Sequence, residues 1–127
     1  EDEFEQAPSG MPGVETMLPL MLQKVAERKL ELPLMVRMCC TRPAEIVGLR
    51  KGRIQRGYDA DLMAVDMRRS GKIRADRLHS KCGWTPYERL DAIFPEMVML
   101  RGQEVARSGD ITGERRGRLA PAAEGAT

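Results

Sequence analysis

Residues 60–66 read ADLMAVD, a compact apolar run flanked by carboxylates. A run of this length is too short for a helix and is typical of a buried β-strand. The stretch before it differs, because its apolar residues recur at helical spacing. The sequence therefore predicts an α-then-β order, with helix over most of residues 17–40 and strands near 61–66 and 96–107.

The first helix is predicted from Val14 to about Lys29. Its apolar positions are Met17, Leu18, Met21, Leu22 and Val25. Pro19 falls inside this pattern, so either the first turn is kinked or the regular helix begins near Pro19, where a missing N–H costs nothing.

A second, short helix is expected over residues 32–40. It should end before the Arg42–Pro43 step, because a residue that precedes proline is pushed out of the α region. Residues 43–47 then predict one more helical turn, with Gly48 as its C-cap.

The second half of the chain indicates strands and ordered loops. Residues 96–100 and 104–107 are typical of a hairpin joined by a short link that contains Gly102. Residues 71–91 have little periodicity and predict an ordered loop. Residues 113–127 are rich in Arg, Gly, Ala and Pro without a period, so we expect a disordered tail.

Length and composition exclude several classes of protein. A chain of 127 residues is too short for a complete barrel enzyme. Its 21 Lys and Arg against 19 Asp and Glu give a net charge of +2, which is too balanced for a dedicated nucleic-acid binder. No apolar run approaches the roughly 18 residues of a membrane span, and we expect no membrane partner. Three cysteines without paired spacing indicate reduced thiols and a cytoplasmic protein.

Candidate chemical groups are few. A single histidine, His79, cannot supply a multi-histidine metal site, and pairing it with Cys82 gives two ligands where structural zinc needs four. A lone His, Lys or Cys would need activating partners from elsewhere, so we assign no catalytic residue and no metal ligand to this chain. The basic cluster lacks interleaved aromatics and favours a solvated surface over a phosphate site; its members are Arg68, Arg69, Lys72, Arg74, Arg77 and Lys81.

The loop at residues 7–13, APSGMPG, is the most distinctive segment. Two prolines and two glycines forbid regular structure there, and its backbone groups cannot pair with each other. Its glycines would let a ligand approach the main chain closely. Composition alone nevertheless favours a plain connecting loop over a ligand-binding loop.

Four segments in order resemble the C-terminal third of a dihydroorotase of the larger bacterial and archaeal type, in the amidohydrolase superfamily. They are APSGMPGVETMLPL (7–20), RPAEIVGL (42–49), KGRI with GYDADL (51–62), and HSKCGWTPYE (79–88). The GYDADL run is common to many amidohydrolases, whereas the first and last segments distinguish dihydroorotases from their relatives. One position departs from the pattern, because the family's glycine after the Tyr87–Glu88 pair is Arg89 here.

The resemblance implies an α/β fold, in which this chain contributes the last helices of a (β/α)8 barrel and strands of a small β-sandwich. Residues 1–50 would form the end of the metal-dependent hydrolase barrel, with the substrate loop and terminal helices. Residues 51–112 would form the sandwich segment. The resemblance also implies that the parent enzyme binds zinc through residues upstream of this chain, together with the proton-transferring aspartate.

The resemblance further implies that Ser9 and Gly10, preceded by Pro8, line the substrate pocket largely through main-chain groups. The expected function is that of the C-terminal part of a dihydroorotase, which interconverts N-carbamoyl-L-aspartate and L-dihydroorotate in de novo pyrimidine biosynthesis. The chain alone would be inactive.

Two alternatives remain open at this stage. One is another cyclic-amide hydrolase, of hydantoinase or allantoinase type. The other is a catalytically dead dihydroorotase-like subunit that scaffolds a partner such as aspartate transcarbamoylase. A homo-oligomeric parent is also compatible with the sequence.

Overall fold

The computed structural model describes residues 10–113 and 117–119. Helices come first: α1 (Met17–Ala26), α2 (Leu32–Val36), a π-helical turn (Arg37–Thr41) and α3 (Arg42–Val47). Short strands follow: β1 (Leu62–Ala64), β2 (Gly71–Lys72), β3 (Asp91–Ala92), β4 (Met97–Leu100), β5 (Gln103–Arg107) and β6 (Asp110–Ile111). A 3₁₀ turn, Ala75–Arg77, lies between β2 and β3. The helices precede the strands, as the sequence predicts.

Helix α1 is shorter at both ends than the apolar pattern suggests. Residues 14–16 form turns, because the amides of Thr16 and Met17 both donate to the carbonyl of Gly13. The helix therefore begins at Met17, and Pro19 lies in its first turn, where its missing N–H has no intrahelical partner to lose. Beyond the other end, Arg28 has a φ of 58°, which is incompatible with a continuing helix.

The expected break before Pro43 is wrong. Arg42 keeps helical angles (φ −68°, ψ −42°), and helical structure runs on from α2 through the π turn into α3. The amide of Arg42 donates to the carbonyl of Arg37, five residues back. Such a widened turn makes room for the Pro43 ring, which would clash with the preceding carbonyls of an ordinary α-helix. Gly48 ends α3 in the left-handed conformation, as predicted.

The strands form two antiparallel sheets, one with the order β1-β4-β5-β6 and one with β2 paired to β3. The predicted hairpin is present, with a register shift between Val98 and Met99. The β2–β3 pair was missed within the predicted loop at 71–91, because strands of two residues carry no detectable alternation.

The helices and the second sheet share one hydrophobic core, in which Leu22, Met35 and Ile93 cluster. Ile73 and Ile93 are completely buried. Many large apolar side chains nevertheless remain exposed on the described surface, among them Met17, Leu34, Met38, Ile46, Val47 and Ile54. No described helix is both long and apolar enough to cross a membrane.

Candidate functional site

The predicted substrate loop is connected to the start of α1 by hydrogen bonds to the backbone carbonyl of Gly13. The oxygen of Gly13 accepts hydrogen bonds from the Thr16 amide (3.2 Å), the Met17 amide (3.0 Å) and the Thr16 hydroxyl (3.3 Å). Thr16 is 1% exposed, so this junction lies in the interior. The C-terminal end of the loop is therefore fixed to the first turn of α1.

The loop backbone is open on its other side. Gly10 is exposed, and a Cβ atom added at Gly10 or Gly13 would meet nothing within 4 Å. Gly10 does not adopt a positive φ, so an L-residue there meets no backbone strain. Pro8 and Ser9, the other predicted substrate-binding residues, lie outside the described residues. The open face at Gly10 leaves room for a ligand to contact the main chain.

A carboxylate connects the turn that follows this loop to the last of the four sequence segments. The two carboxylate oxygens of Glu15 contact a single residue, His79. One accepts the His79 backbone amide (2.8 Å) and the other contacts ring Nδ1 (2.9 Å). The two residues are 64 positions apart in the chain. Sequence reasoning missed this pair, because no periodicity or motif spacing links residues so distant.

A second contact joins the same two segments. The Tyr87 hydroxyl lies 3.9 Å from the sulfur of Met11 and is placed to donate to it. Tyr87 is held in turn by its amide, which donates to the hydroxyl of Thr85 (3.2 Å), a residue that is 8% exposed. The two segments that distinguish dihydroorotases in the sequence thus meet in space.

The 79–88 segment is anchored at its far end to the core. The carboxylate of Glu88 accepts the Ala75 amide (2.8 Å), and the Arg89 amide donates to the carbonyl of Ile73 (2.8 Å). Arg89 has a φ of 65°, in the left-handed region that favours glycine. This explains why the resemblance expects glycine at this position.

The described residues do not fit a zinc ion. No group of three or more His, Cys, Asp or Glu among them could hold a metal. Nδ1 of His79 contacts Glu15, and Cys39 and Cys40 are partly buried in the π turn. Burial raises the pKa of the Cys40 thiol and Cys39 acts in the same direction, so Cys40 is also a poor nucleophile.

Many of the other charged side chains form surface ion pairs. Four of the six basic-cluster residues have acidic partners: Arg68 with Asp66, Arg69 with Glu96, Lys72 with Asp91, and Arg74 with Asp76. Elsewhere Lys51 lies between Asp59 and Asp61. Burial raises the pKa of Asp61, but Lys51 and the Arg101 amide outweigh that effect and hold it below its usual range. The ion pairs of the basic cluster indicate a solvated surface. Lys51 instead links two carboxylates that lie just before β1.

A family model described as "Amidohydrolase family" matches residues 9–105. Among curated proteins, the chain is 49% identical over 115 residues to a dihydroorotase of Methanosarcina acetivorans, covering 88% of this chain and 25% of that protein. It is 48% identical over 106 residues to the Methanosarcina mazei dihydroorotase, covering 81% of this chain and 23% of the relative. The chain therefore spans about a quarter of the length of these relatives.

Solved structures with similar folds include hydantoinases. A D-hydantoinase superposes with a TM-score of 0.82 at 33% identity, covering 88% of this chain and 25% of that one. The L-hydantoinase (dihydropyrimidinase) of Arthrobacter aurescens gives a TM-score of 0.80, also at 33% identity, covering 85% and 25%. The likeness extends over helices and strands together.

Proposed function

Because the chain belongs to the amidohydrolase family, we propose that it forms the C-terminal part of a dihydroorotase, the enzyme that interconverts N-carbamoyl-L-aspartate and L-dihydroorotate in pyrimidine biosynthesis. The observation that carries the proposal is the meeting of residues 10–16 with the 79–88 segment, through the Glu15–His79 and Met11–Tyr87 contacts. Two distant segments that share the dihydroorotase pattern are thereby combined into one surface.

In this proposal the chain supplies one wall of the substrate pocket. Main-chain groups of Ser9 and Gly10 bind the dihydroorotate ring, since the open backbone at Gly10 has room for a ligand. Gly13 and Thr16 fix the end of the loop. Substrate binding therefore loses less conformational entropy, because this part of the loop is already ordered. We assign zinc to residues of the parent enzyme outside this chain, because the one histidine of the sequence cannot supply a multi-histidine site.

A hydantoinase-type substrate is the second candidate, and the solved neighbours are the observation in its favour. Their identity of 33% is lower than the 48–49% found with the two Methanosarcina dihydroorotases. We therefore place dihydroorotate before hydantoins as the substrate. A catalytically dead scaffold subunit would share the sequence pattern but not support turnover.

A chimeric enzyme tests the proposal genetically. In it, this chain replaces the matching quarter of the Methanosarcina acetivorans dihydroorotase. It is expressed in a bacterial strain that lacks its own dihydroorotase and needs uracil. Growth without uracil is the expected result. Failure to grow, with the chimera present as soluble protein, would contradict the proposal; the unaltered relative and the relative without its last quarter are the positive and negative controls.

A further inference from the structure

The Glu15–His79 contact has a geometry that fixes position. Both carboxylate oxygens are used, one by the backbone amide of His79 and one by ring Nδ1, at 2.8 and 2.9 Å. A carboxylate only accepts, so Nδ1 donates and the ring tautomer is set by the contact. Two donors from one residue define both the place and the orientation of the carboxylate.

Stability alone does not account for the pair. The side chains of His79 and Glu15 are 48% and 34% exposed, and ion pairs in such surroundings contribute little to folding because water screens them. The contact instead connects two segments that are 64 residues apart in the chain. Glu15 lies two residues beyond Gly13, where the loop at 10–13 ends.

A continuous series of contacts leads from the core to this loop. The Arg89 amide and the carbonyl of buried Ile73 hold the far end of the 79–88 segment. His79 and Tyr87 then hold Glu15 and Met11 on the two sides of the loop's last residues. At Gly10 an added Cβ would meet no atom of the described residues within 4 Å, so this face of the loop is open.

We propose that Glu15 and His79 are positioning residues, which hold residues 10–13 in the place where their main chain meets the substrate. The proposal rests on the proposed function for the identity of the substrate, and on the geometry alone for the coupling between the two segments. His79 acts through Glu15 and touches no reacting atom.

The coupling is tested first by NMR on the 127-residue chain. The chain has one histidine, so its imidazole ¹⁵N signals need no assignment. Recorded at alkaline pH, the wild type should show Nδ1 protonated, and Glu15→Ala should shift the ring toward the Nε2-protonated form. The His79 amide should also exchange about tenfold faster or more in this variant.

A matched control is Glu104→Ala, because the Glu104 side chain is 31% exposed and pairs with Arg107. It should leave both His79 readouts unchanged. A wild-type ring protonated on Nε2, or an equal rise in amide exchange in both variants, would overturn the coupling.

The effect on substrate is tested by steady-state kinetics in the chimeric enzyme. Glu15→Ala and His79→Ala should raise KM for dihydroorotate about tenfold and change kcat much less, because binding geometry is lost while the reacting groups remain. His79→Asn should recover most of the loss, since its amide N–H can replace Nδ1 as donor. An unchanged KM in both alanine variants, or no recovery with asparagine, would overturn the positioning role.

The two proposals fail in different ways. A chimera that is inactive with the native sequence at both positions counts against the proposed function, while the NMR readouts still decide the coupling. An active chimera with unaltered KM in the variants counts against the positioning role alone.

Discussion

Ile93 donates its backbone N–H to the carbonyl oxygen of Pro19, at 3.1 Å. Ile93 is completely buried beside Leu22, whereas Pro19 belongs to the first turn of α1. This bond fixes the start of α1 against the second sheet. Since the loop at 10–13 precedes that turn by only three residues, its position depends on a residue far along the chain, just after β3.

Gly10→Val tests main-chain contact at the substrate loop. The added Cβ meets no atom of the described residues within 4 Å and no backbone strain, so we expect the fold to be unaffected. In the chimeric enzyme, KM for dihydroorotate should rise about tenfold or more, because the side chain intrudes where the ring binds. Bound zinc, measured by atomic absorption, should not change.

Ser9→Ala is the companion variant. Its expected contact is main-chain and survives loss of the hydroxyl, so its kinetics should stay near those of the native sequence. Native-like KM in Gly10→Val, or a large defect in Ser9→Ala, would reject main-chain binding by this loop.

Position 52 needs glycine, because the backbone of the π turn lies too close to leave room for a side chain. It has a φ of 75°, and an added Cβ would lie 2.6 Å from the carbonyl carbon of Cys40. Gly52→Ala should lower the free energy of unfolding by about 2–4 kcal/mol, through backbone strain together with overpacking. Urea unfolding measures this change.

Gly57→Ala separates the two causes. Gly57 has a φ of 85° but nothing within 4 Å of an added Cβ, so only the strain of about 1 kcal/mol should appear. Equal losses in the two variants would show that the contact with Cys40 carries no cost.

Arg89→Gly should stabilise the chain. Arg89 sits at a φ of 65°, and glycine adopts that conformation without a Cβ clash. The amide bond to Ile73 is retained in the variant. The midpoint of thermal unfolding should rise, by an amount equivalent to about 1 kcal/mol. Arg89→Ala should bring no such gain, and a loss of stability in Arg89→Gly would mean that the Arg89 side chain makes a stabilising contact of its own.

The sequence predicted the α-then-β order because helices and strands space their apolar residues differently, and that spacing can be read from the sequence itself. It predicted the Gly48 cap and the 96–107 hairpin because their turn chemistry is local. It failed at Pro43, because Arg42 keeps helical angles despite preceding a proline, and a π turn lets the helical structure continue into α3. The Glu15–His79 pair could not be predicted, because it depends on how two loops pack together.

Acid should weaken the C-terminal end of α1. Lys29, Lys24 and Gln23 hydrogen-bond the Glu27 carboxylate and lower its pKa from 4.5 to about 2. A lowered folded-state pKa gives stability that is complete above the unfolded value and is lost as pH falls from 4.5 through about 2. Glu27→Gln should therefore flatten the stability curve in this window only. Circular dichroism measures unfolding at each pH. If the stability of Glu27→Gln depended on pH in the same way as that of the native sequence, the assignment to Glu27 would be wrong.

The most direct test of the proposed function compares kcat/KM for L-dihydroorotate with kcat/KM for hydantoin in two purified chimeric enzymes. The first is the chimera described above. In the second, this chain replaces the matching quarter of the D-hydantoinase. The proposed function predicts turnover of dihydroorotate by the first chimera, little turnover of hydantoin by the second, and no activity in the 127-residue chain alone. Efficient hydantoin hydrolysis by the second chimera, with no dihydroorotate turnover by the first, would contradict it.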